Sequence, residues 1–167
     1  MKKIALVLLA ISVSTLINAQ VGDNDPDARV KAVLDQIGYK YTVDKDNDFQ
    51  LVFNTGDDTV KQRTQMVFIN SNTMKYDNVE VREIWSVCHE VKVGFIPCDI
   101  LNTLMKKNAD LKIGSWCYEE RDSTHRLYFS VKIGANVNKE TLISILSLVA
   151  TSADSYEAEL TGDADKF

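Results

Sequence analysis

The stretch Tyr39–Phe53, YKYTVDKDNDFQLVF, decides the fold of this chain. Apolar residues occupy every second position on both sides of a polar turn, Lys45–Asp48, which is the pattern of two half-buried strands joined as a hairpin. Immediately before this stretch, apolar residues from Val30 to Ile37 recur at helical spacing. A helix that leads into a hairpin predicts an α+β fold.

The first helix is expected over residues 26–37. Asp25 suits its N-cap, Pro26 suits the first helical position because it lacks an N–H, and Gly38 supplies the stop.

Two further helices are expected later in the chain. One covers residues 97–108, with Asn108 as its stop, and the other begins after an Asn138 cap. The chain beyond Thr161 is expected to fray. The buried face of the last helix is expected to consist of Leu142, Ile145, Leu146, Val149, Ala153 and Tyr156.

Four more strands are expected, over Met66–Ile69, Val79–Val93, Leu111–Tyr118 and Leu127–Ile133. The continuously apolar Met66–Ile69 suggests a central strand covered on both faces. The alternation slips near Ile84, and Ser71–Asn78 is expected to be a loop. The order α-β-β-β-β-α-β-β-α predicts an α+β fold, a twisted antiparallel sheet with helices packed on one side.

The first nineteen residues have the layout of a secretory signal peptide. Two lysines precede the apolar run Ile4–Ile11, and Ala19 ends the segment before cleavage at Gln20. The apolar run is shorter than the roughly 20 residues that span a bilayer. We therefore expect an exported protein, periplasmic or secreted, with residues 1–19 as signal and 20–167 as a single domain without stable membrane insertion.

The charge of the chain argues against two classes of partner. Without the signal, 17 Lys and Arg face 24 Asp and Glu, a net charge of −7. Nucleic acids and anionic membranes are bound through clustered basic residues, and no such cluster is present. We expect neither as a partner.

Three cysteines remain after cleavage, so at most one intramolecular disulfide can form. If the strand after the second helix folds back along that helix, Cys98 and Cys117 meet at the same end. The predicted disulfide is therefore Cys98–Cys117, with Cys88 left as a free thiol in the core.

Few residue patterns suggest chemistry. Asp44–Asp48 resembles the start of a calcium loop, but the positions that need Gly and Glu hold Phe49 and Thr55, which favours a polar hairpin turn. Cys88 adjoins His89, whose side chain would point to the opposite face of a strand. The cysteines and histidines lack the paired spacing of a zinc site. No cofactor is predicted.

Three stretches resemble the YbjN domain family: VEVREIWS at residues 79–86, LMKKN at 104–108 and LKIGSW at 111–116. The resemblance covers roughly residues 27–160. It implies a fold like that of type III secretion chaperones, which often dimerise and bind polypeptide. Members of the family have been labelled sensory transduction regulators, and no catalytic residues exist to transfer. The export signal sets this chain apart from a cytoplasmic chaperone.

The sequence thus predicts a non-enzymatic, chaperone-like protein-interaction module that binds an extended segment of another envelope or secreted protein, with homodimerisation as an option. Its interface candidates are Ile84, Trp85 and Trp116, although aromatic residues on strands more often pack in a core. Three alternatives stay open. They are a small-molecule or metal-binding domain, a hydrolase that uses Cys88 or Cys117 with His125, and a structural envelope component.

Overall fold

The computed structural model of the chain describes residues 25–56, 62–162 and 164–167. The signal peptide expected over residues 1–19 lies outside these ranges. The described helices are α1 (Ala28–Ile37), α2 (Cys98–Asp110) and α3 (Lys139–Thr161). The described strands are β1 (Thr42–Val43), β2 (Phe49–Asn54), β3 (Thr64–Ile69), β4 (Met74–Tyr76), β5 (Val79–Val91), β6 (Ser115–Arg121) and β7 (Thr124–Gly134).

The described strands form one antiparallel sheet in the order β1-β2-β3-β5-β7-β6, and β4 pairs with the first residues of β5. Apolar side chains from one side of this sheet are buried together with residues of all three helices, and we call that side the core face. The predicted α+β class, an antiparallel sheet with helices packed on one side, is confirmed. The core face is formed by Phe49, Leu51, Val67, Ile69, Ile84, Leu127, Phe129 and Val131.

Local capping signals were mostly read correctly. Gly38 ends α1 in a left-handed conformation (φ 81°), and Asn138 caps α3 by accepting a hydrogen bond from the Thr141 N–H at 2.8 Å. The prediction of Asp25 as the first cap is wrong. Asp27 caps α1 instead, and its carboxylate accepts from the Arg29 N–H at 2.8 Å.

The helix α2 runs two residues past its predicted stop. Asn108 lies inside the helix because its side-chain amide is bound to the next strand. Its Oδ1 accepts from the Trp116 N–H at 2.7 Å, and its Nδ2 donates to the Trp116 carbonyl at 3.0 Å. The side chain thereby holds α2 against β6.

The sheet has one strand more than predicted. β4 lies within the stretch Ser71–Asn78 that was expected to be a loop. It pairs with β5 through a two-residue turn, in which Asp77 has a φ of 53°. It is only three residues long, which is too short for the alternation of Met74, Lys75 and Tyr76 to mark a strand in the sequence.

Two strand irregularities differ from expectation. The bulge in β5 lies at Cys88, between Val87 and His89, and not near Ile84. β6 begins at Ser115, four residues after the predicted start, and joins β7 through a two-residue turn whose residues Asp122 and Ser123 both have positive φ.

Candidate functional site

The side of the sheet opposite the three helices, which we call the open face, carries an apolar cluster among polar and charged side chains. Strand register places eleven apolar side chains on it. Val52, Val79 and Tyr76 are 63%, 52% and 85% exposed. Large exposed apolar patches on a protein surface often mark interaction sites. The set is Val52, Met66, Phe68, Met74, Tyr76, Val79, Val81, Trp85, Val87, Cys117 and Tyr128.

Aromatic side chains occupy the centre of the open face. The rings of Phe68 and Trp85 are stacked with centroids 4.3 Å apart, and Tyr128 meets Trp85 edge-on at 5.7 Å. The Trp85 Nε1–H donates to Asn70 Oδ1 at 2.7 Å, which fixes the orientation of the indole. Met66 and Phe68 of β3 therefore lie on the open face, and the prediction that β3 is covered on both sides is wrong.

Charged groups border the aromatic cluster on one side. Arg126 donates to Glu90 at 2.9 Å, lies 3.8 Å from Glu119 and places its guanidinium 5.9 Å from the centroid of the Trp85 ring. Burial raises the pKa of Tyr128 to about 12, so its hydroxyl stays protonated at neutral pH.

Two of the predicted interface residues do not belong to this surface. Ile84 is fully buried on the core face, because successive residues of a strand point to opposite sides and Trp85 points outward. Trp116 also lies on the core face, with ring centroids 5.0 Å from Phe129 and 4.9 Å from Tyr156. The fold therefore does not bring Trp85 and Trp116 together.

Trp116 instead forms the floor of a cleft between α2, β6 and α3, with a volume of about 320 Å³. Across its mouth, the Lys107 Nζ bonds to Glu159 Oε2 at 2.7 Å. Short hydroxyl side chains of α3 form one wall, and they leave the space open: Thr151, Ser152 and Ser155.

The predicted disulfide is absent, and all three cysteines are free thiols. Cys98 is the first residue of α2, and Asn108 lies ten residues further along the same helix. Asn108 binds Trp116, the residue just before Cys117. Ten residues of helix span about 15 Å, and disulfides require Cα atoms within about 7 Å of each other. Because β6 starts beside the C-terminal end of α2, the two cysteines do not meet.

The geometry does not support a Cys–His hydrolase. Cys88 is fully buried, its Sγ donates to the Leu127 carbonyl at 3.5 Å, and burial raises its pKa to about 12. A thiol with such a pKa supplies no thiolate at neutral pH. The His125 ring is hydrogen-bonded to the Tyr118 hydroxyl at 2.7 Å. Cys117 lies opposite Tyr128, three residues from His125 along β7, so Cys117 and His125 point to opposite faces of the sheet.

The predicted polar turn of the first hairpin is confirmed. The Asp44 carboxylate accepts from the backbone N–H groups of Asp46 at 2.9 Å and Asp48 at 3.0 Å, so it closes the turn.

Sequence reasoning missed two buried ion networks. Asp27 pairs with Arg82 and Arg29, and Arg63 donates to Asp154 at 2.7 Å and to Glu157 at 3.1 Å. The alternation in β5 carried a signal for the first network. Arg82 and the buried Ile84 are two residues apart, so their side chains point to the same face of the strand.

The second network includes three acidic side chains, Asp154, Glu157 and Asp165, whose oxygens lie within 4.8 Å of one another. The guanidinium of Arg63 already contacts all three carboxylates, the farthest at 3.9 Å. It supplies the positive charge that a metal would bring, so these carboxylates form a structural network.

The chain has little detectable similarity to known proteins. No protein-family model and no curated protein sequence matches it. Among solved structures, it is similar to the crystal structure of YbjN from E. coli, a proposed transcription regulator, with 14% identity and a TM-score of 0.44. The alignment covers 77% of this chain and 90% of that chain. Membership of the YbjN domain family stays a prediction, and the function has to be argued from the residues of this chain.

Proposed function

We propose that this protein is an exported, non-enzymatic interaction module that binds another envelope or secreted polypeptide through the open face. The observation that carries the proposal is the aromatic cluster of Phe68, Trp85 and Tyr128 within a larger apolar surface. In antiparallel sheets with one solvated face, that face usually carries polar side chains. Here an apolar cluster lies among polar side chains such as Gln50, Glu83 and Lys132.

The shape and the border of this face favour a polypeptide partner. Small molecules bind in concave sites, and the open face is one side of an open sheet. Protein interfaces combine an apolar centre rich in aromatic residues and arginine with a polar rim. Arg126 and Glu90 supply such a rim beside Trp85. The export part of the proposal rests on residues 1–19.

The decisive experiment compares two charge substitutions during affinity capture from the native host envelope, quantified by mass spectrometry. Val52→Lys places a charge on the open face, and the matched control Met105→Lys places one on the exposed side of α2. Both residues are more than 60% exposed, so both variants should fold normally. The proposal expects Val52→Lys to lose a stoichiometric partner that the control keeps.

Equal capture by both variants would contradict binding through the open face. If the protein captured is a second copy of this chain, the same face is a homodimer interface. In that case the partner bound through the open face is a second copy of this chain and not a different protein.

The cleft at Trp116 supports a second candidate function, the binding of a small molecule. Its volume of about 320 Å³ lies at the lower end of the roughly 300–1,000 Å³ of ligand sites. Native mass spectrometry of the protein purified from its host would show a retained ligand. Ser152→Leu, which fills the cleft, should abolish that retention, while Val52→Lys should not.

A further inference from the structure

The sheet opens between β3 and β5. Only two residue pairs join these strands, Phe68 with Trp85 and Ile69 with Ile84. Toward the start of β3, side chains bridge the gap where backbone hydrogen bonds would otherwise form.

Two such bridges are present. The Gln65 Nε2 donates to the Val87 carbonyl at 2.7 Å, and the Ser86 hydroxyl donates to the Met66 carbonyl at 2.5 Å. The edge of β3 over Thr64–Met66 is therefore available to a further extended segment.

Residues 164–167 of the chain occupy this edge. The Thr64 N–H donates to Asp165 Oδ2 at 3.1 Å, and the Met66 N–H donates to the Phe167 carbonyl at 3.2 Å. Thr64 and Met66 are two residues apart, so both N–H groups point away from β2. The expectation that the chain frays beyond Thr161 is therefore wrong for residues 164–167, since they are hydrogen-bonded to β3.

Two buried side chains hold the backbone of this segment. The Lys166 N–H donates to Glu157 Oε1 at 2.7 Å, and Arg63 Nη1 donates to the Ala164 carbonyl at 3.3 Å. Glu157 is fully buried, and Arg63 is 8% exposed. Apart from the carboxylate of Asp165, these contacts are made to main-chain groups, which every polypeptide offers.

We propose that the gap between β3 and β5 is a strand-acceptor site for an extended segment of the partner protein, with an acidic residue at the position of Asp165. Residues 164–167 are its resident occupant. Ala164, Asp165 and Lys166 are exposed and Phe167 is half-buried, so the departure of this segment removes no fully buried side chain. This inference rests on the proposed function only in taking the partner to be a polypeptide. Met66 and Val87 belong to the open face, so a segment in the gap continues onto it.

The test uses the full-length chain and a synthetic peptide of residues 161–167, TGDADKF. A tethered segment has an effective concentration in the millimolar range, so the resident segment must first be weakened and the peptide supplied at about 5 mM. Asp165→Ala removes the bond to Thr64, and Asp110→Ala is the control at an exposed acidic residue. The readout is hydrogen exchange at the amides of Thr64 and Met66.

In Asp165→Ala, exchange of these two amides should accelerate at least about fivefold, because a bond to a charged acceptor is lost. The peptide should restore protection, and a peptide with Ala in place of Asp165 should not. Unchanged exchange in the variant would overturn the proposal, as would failure of the peptide to restore protection. Neither outcome depends on partner capture. The strand-acceptor proposal can therefore fail while binding through the open face holds, and the reverse is also possible.

Discussion

The carboxylate of Asp27 and the guanidinium of Arg82 form a buried ion pair that joins the start of α1 to β5. Both residues are 1% exposed. Arg82 also donates to the Ser71 carbonyl at 2.9 Å, and Arg29 connects Asp27 to Glu80. One charged cluster thus fastens the first helix, the loop after β3 and the long central strand at a single point.

Removing one partner of this pair should destabilise the protein strongly. Asp27→Ala leaves Arg82 buried without its counter-charge, and breaking a buried pair in this way costs about 3–5 kcal/mol. Urea unfolding at pH 7 measures the loss. Asp35→Ala, which removes an exposed partner of Lys31, serves as the control and should change the stability little. Equal effects of the two substitutions would contradict a structural role for the Asp27–Arg82 pair.

The same pair should make stability depend on acid pH. Burial acts to raise the pKa of Asp27, but hydrogen bonds from Arg29 and Arg82 outweigh it and lower the pKa from 3.8 to about 2. A lowered pKa in the folded state stabilises the protein above pH 4, by about 2 kcal/mol, and this contribution is lost as the pH falls toward 2. The difference in unfolding free energy between the wild type and Asp27→Ala should therefore shrink between pH 4 and pH 2. A constant difference would show that Asp27 does not titrate in this range.

Replacing Arg63 should make the stability of the protein depend on pH in the opposite direction. In Arg63→Met, Asp154 and Glu157 lose their positive partner, at a cost of about 3–5 kcal/mol at neutral pH. Burial already raises the pKa of Glu157, and removal of Arg63 raises it further. A raised pKa in the folded state favours folding at low pH, so the variant should regain stability as the pH falls below neutral. Lys107→Met, at an exposed ion pair, should show no such recovery.

A glycine at the start of β6 should not tolerate a side chain. A Cβ on Gly114 would lie 2.6 Å from Phe129 Cζ and 2.9 Å from Val131 Cγ2, and its φ is 82°. Gly114→Ala should therefore lower the unfolding free energy by about 1–3 kcal/mol. Gly134→Ala is the matched control, because nothing lies within 4 Å of its Cβ. Thermal unfolding of both variants decides whether the contact with Phe129 is as close as the structure shows.

The three cysteines should differ in reactivity toward iodoacetamide. Cys98 is exposed and should react first, Cys117 is half-buried and should react more slowly, and Cys88 should react only after unfolding. Burial raises the pKa of Cys88 to about 12, which suppresses its thiolate. Peptide mapping without a reductant checks this order. A linked Cys98–Cys117 peptide would contradict the structure and restore the pairing expected from the sequence.

Features set by a few neighbouring residues could be predicted. The cap at Asn138, the stop at Gly38 and the buried face of α3 depend on side chains within one or two turns of helix. All six residues expected on that face are buried. β4 escaped prediction because Met74–Tyr76 bury nothing, and the Cys88 bulge escaped because it arises only through pairing with β7.

The candidate site was predicted only in part. Trp85 was identified as an interface candidate, but Phe68 and Tyr128, which pack against it, come from other strands. Ile84 and Trp85 were both named as interface candidates, although adjacent strand residues point to opposite faces. Which of the two faced the helices depended on where the helices lay.

By itself the sequence determined the elements and their class, because periodicity and capping are local properties of the chain. Only the tertiary structure decided that Met66, Phe68 and Trp85 share an apolar surface on the face away from the helices, and that residues 164–167 fill the gap beside β3. These features depend on strand register and on contacts between distant residues, such as Thr64 and Asp165, which are 101 positions apart. Such contacts leave no periodic pattern in the sequence. The entropy cost of bringing distant residues together and the stabilisation gained from their pairing arise only when the sheet forms.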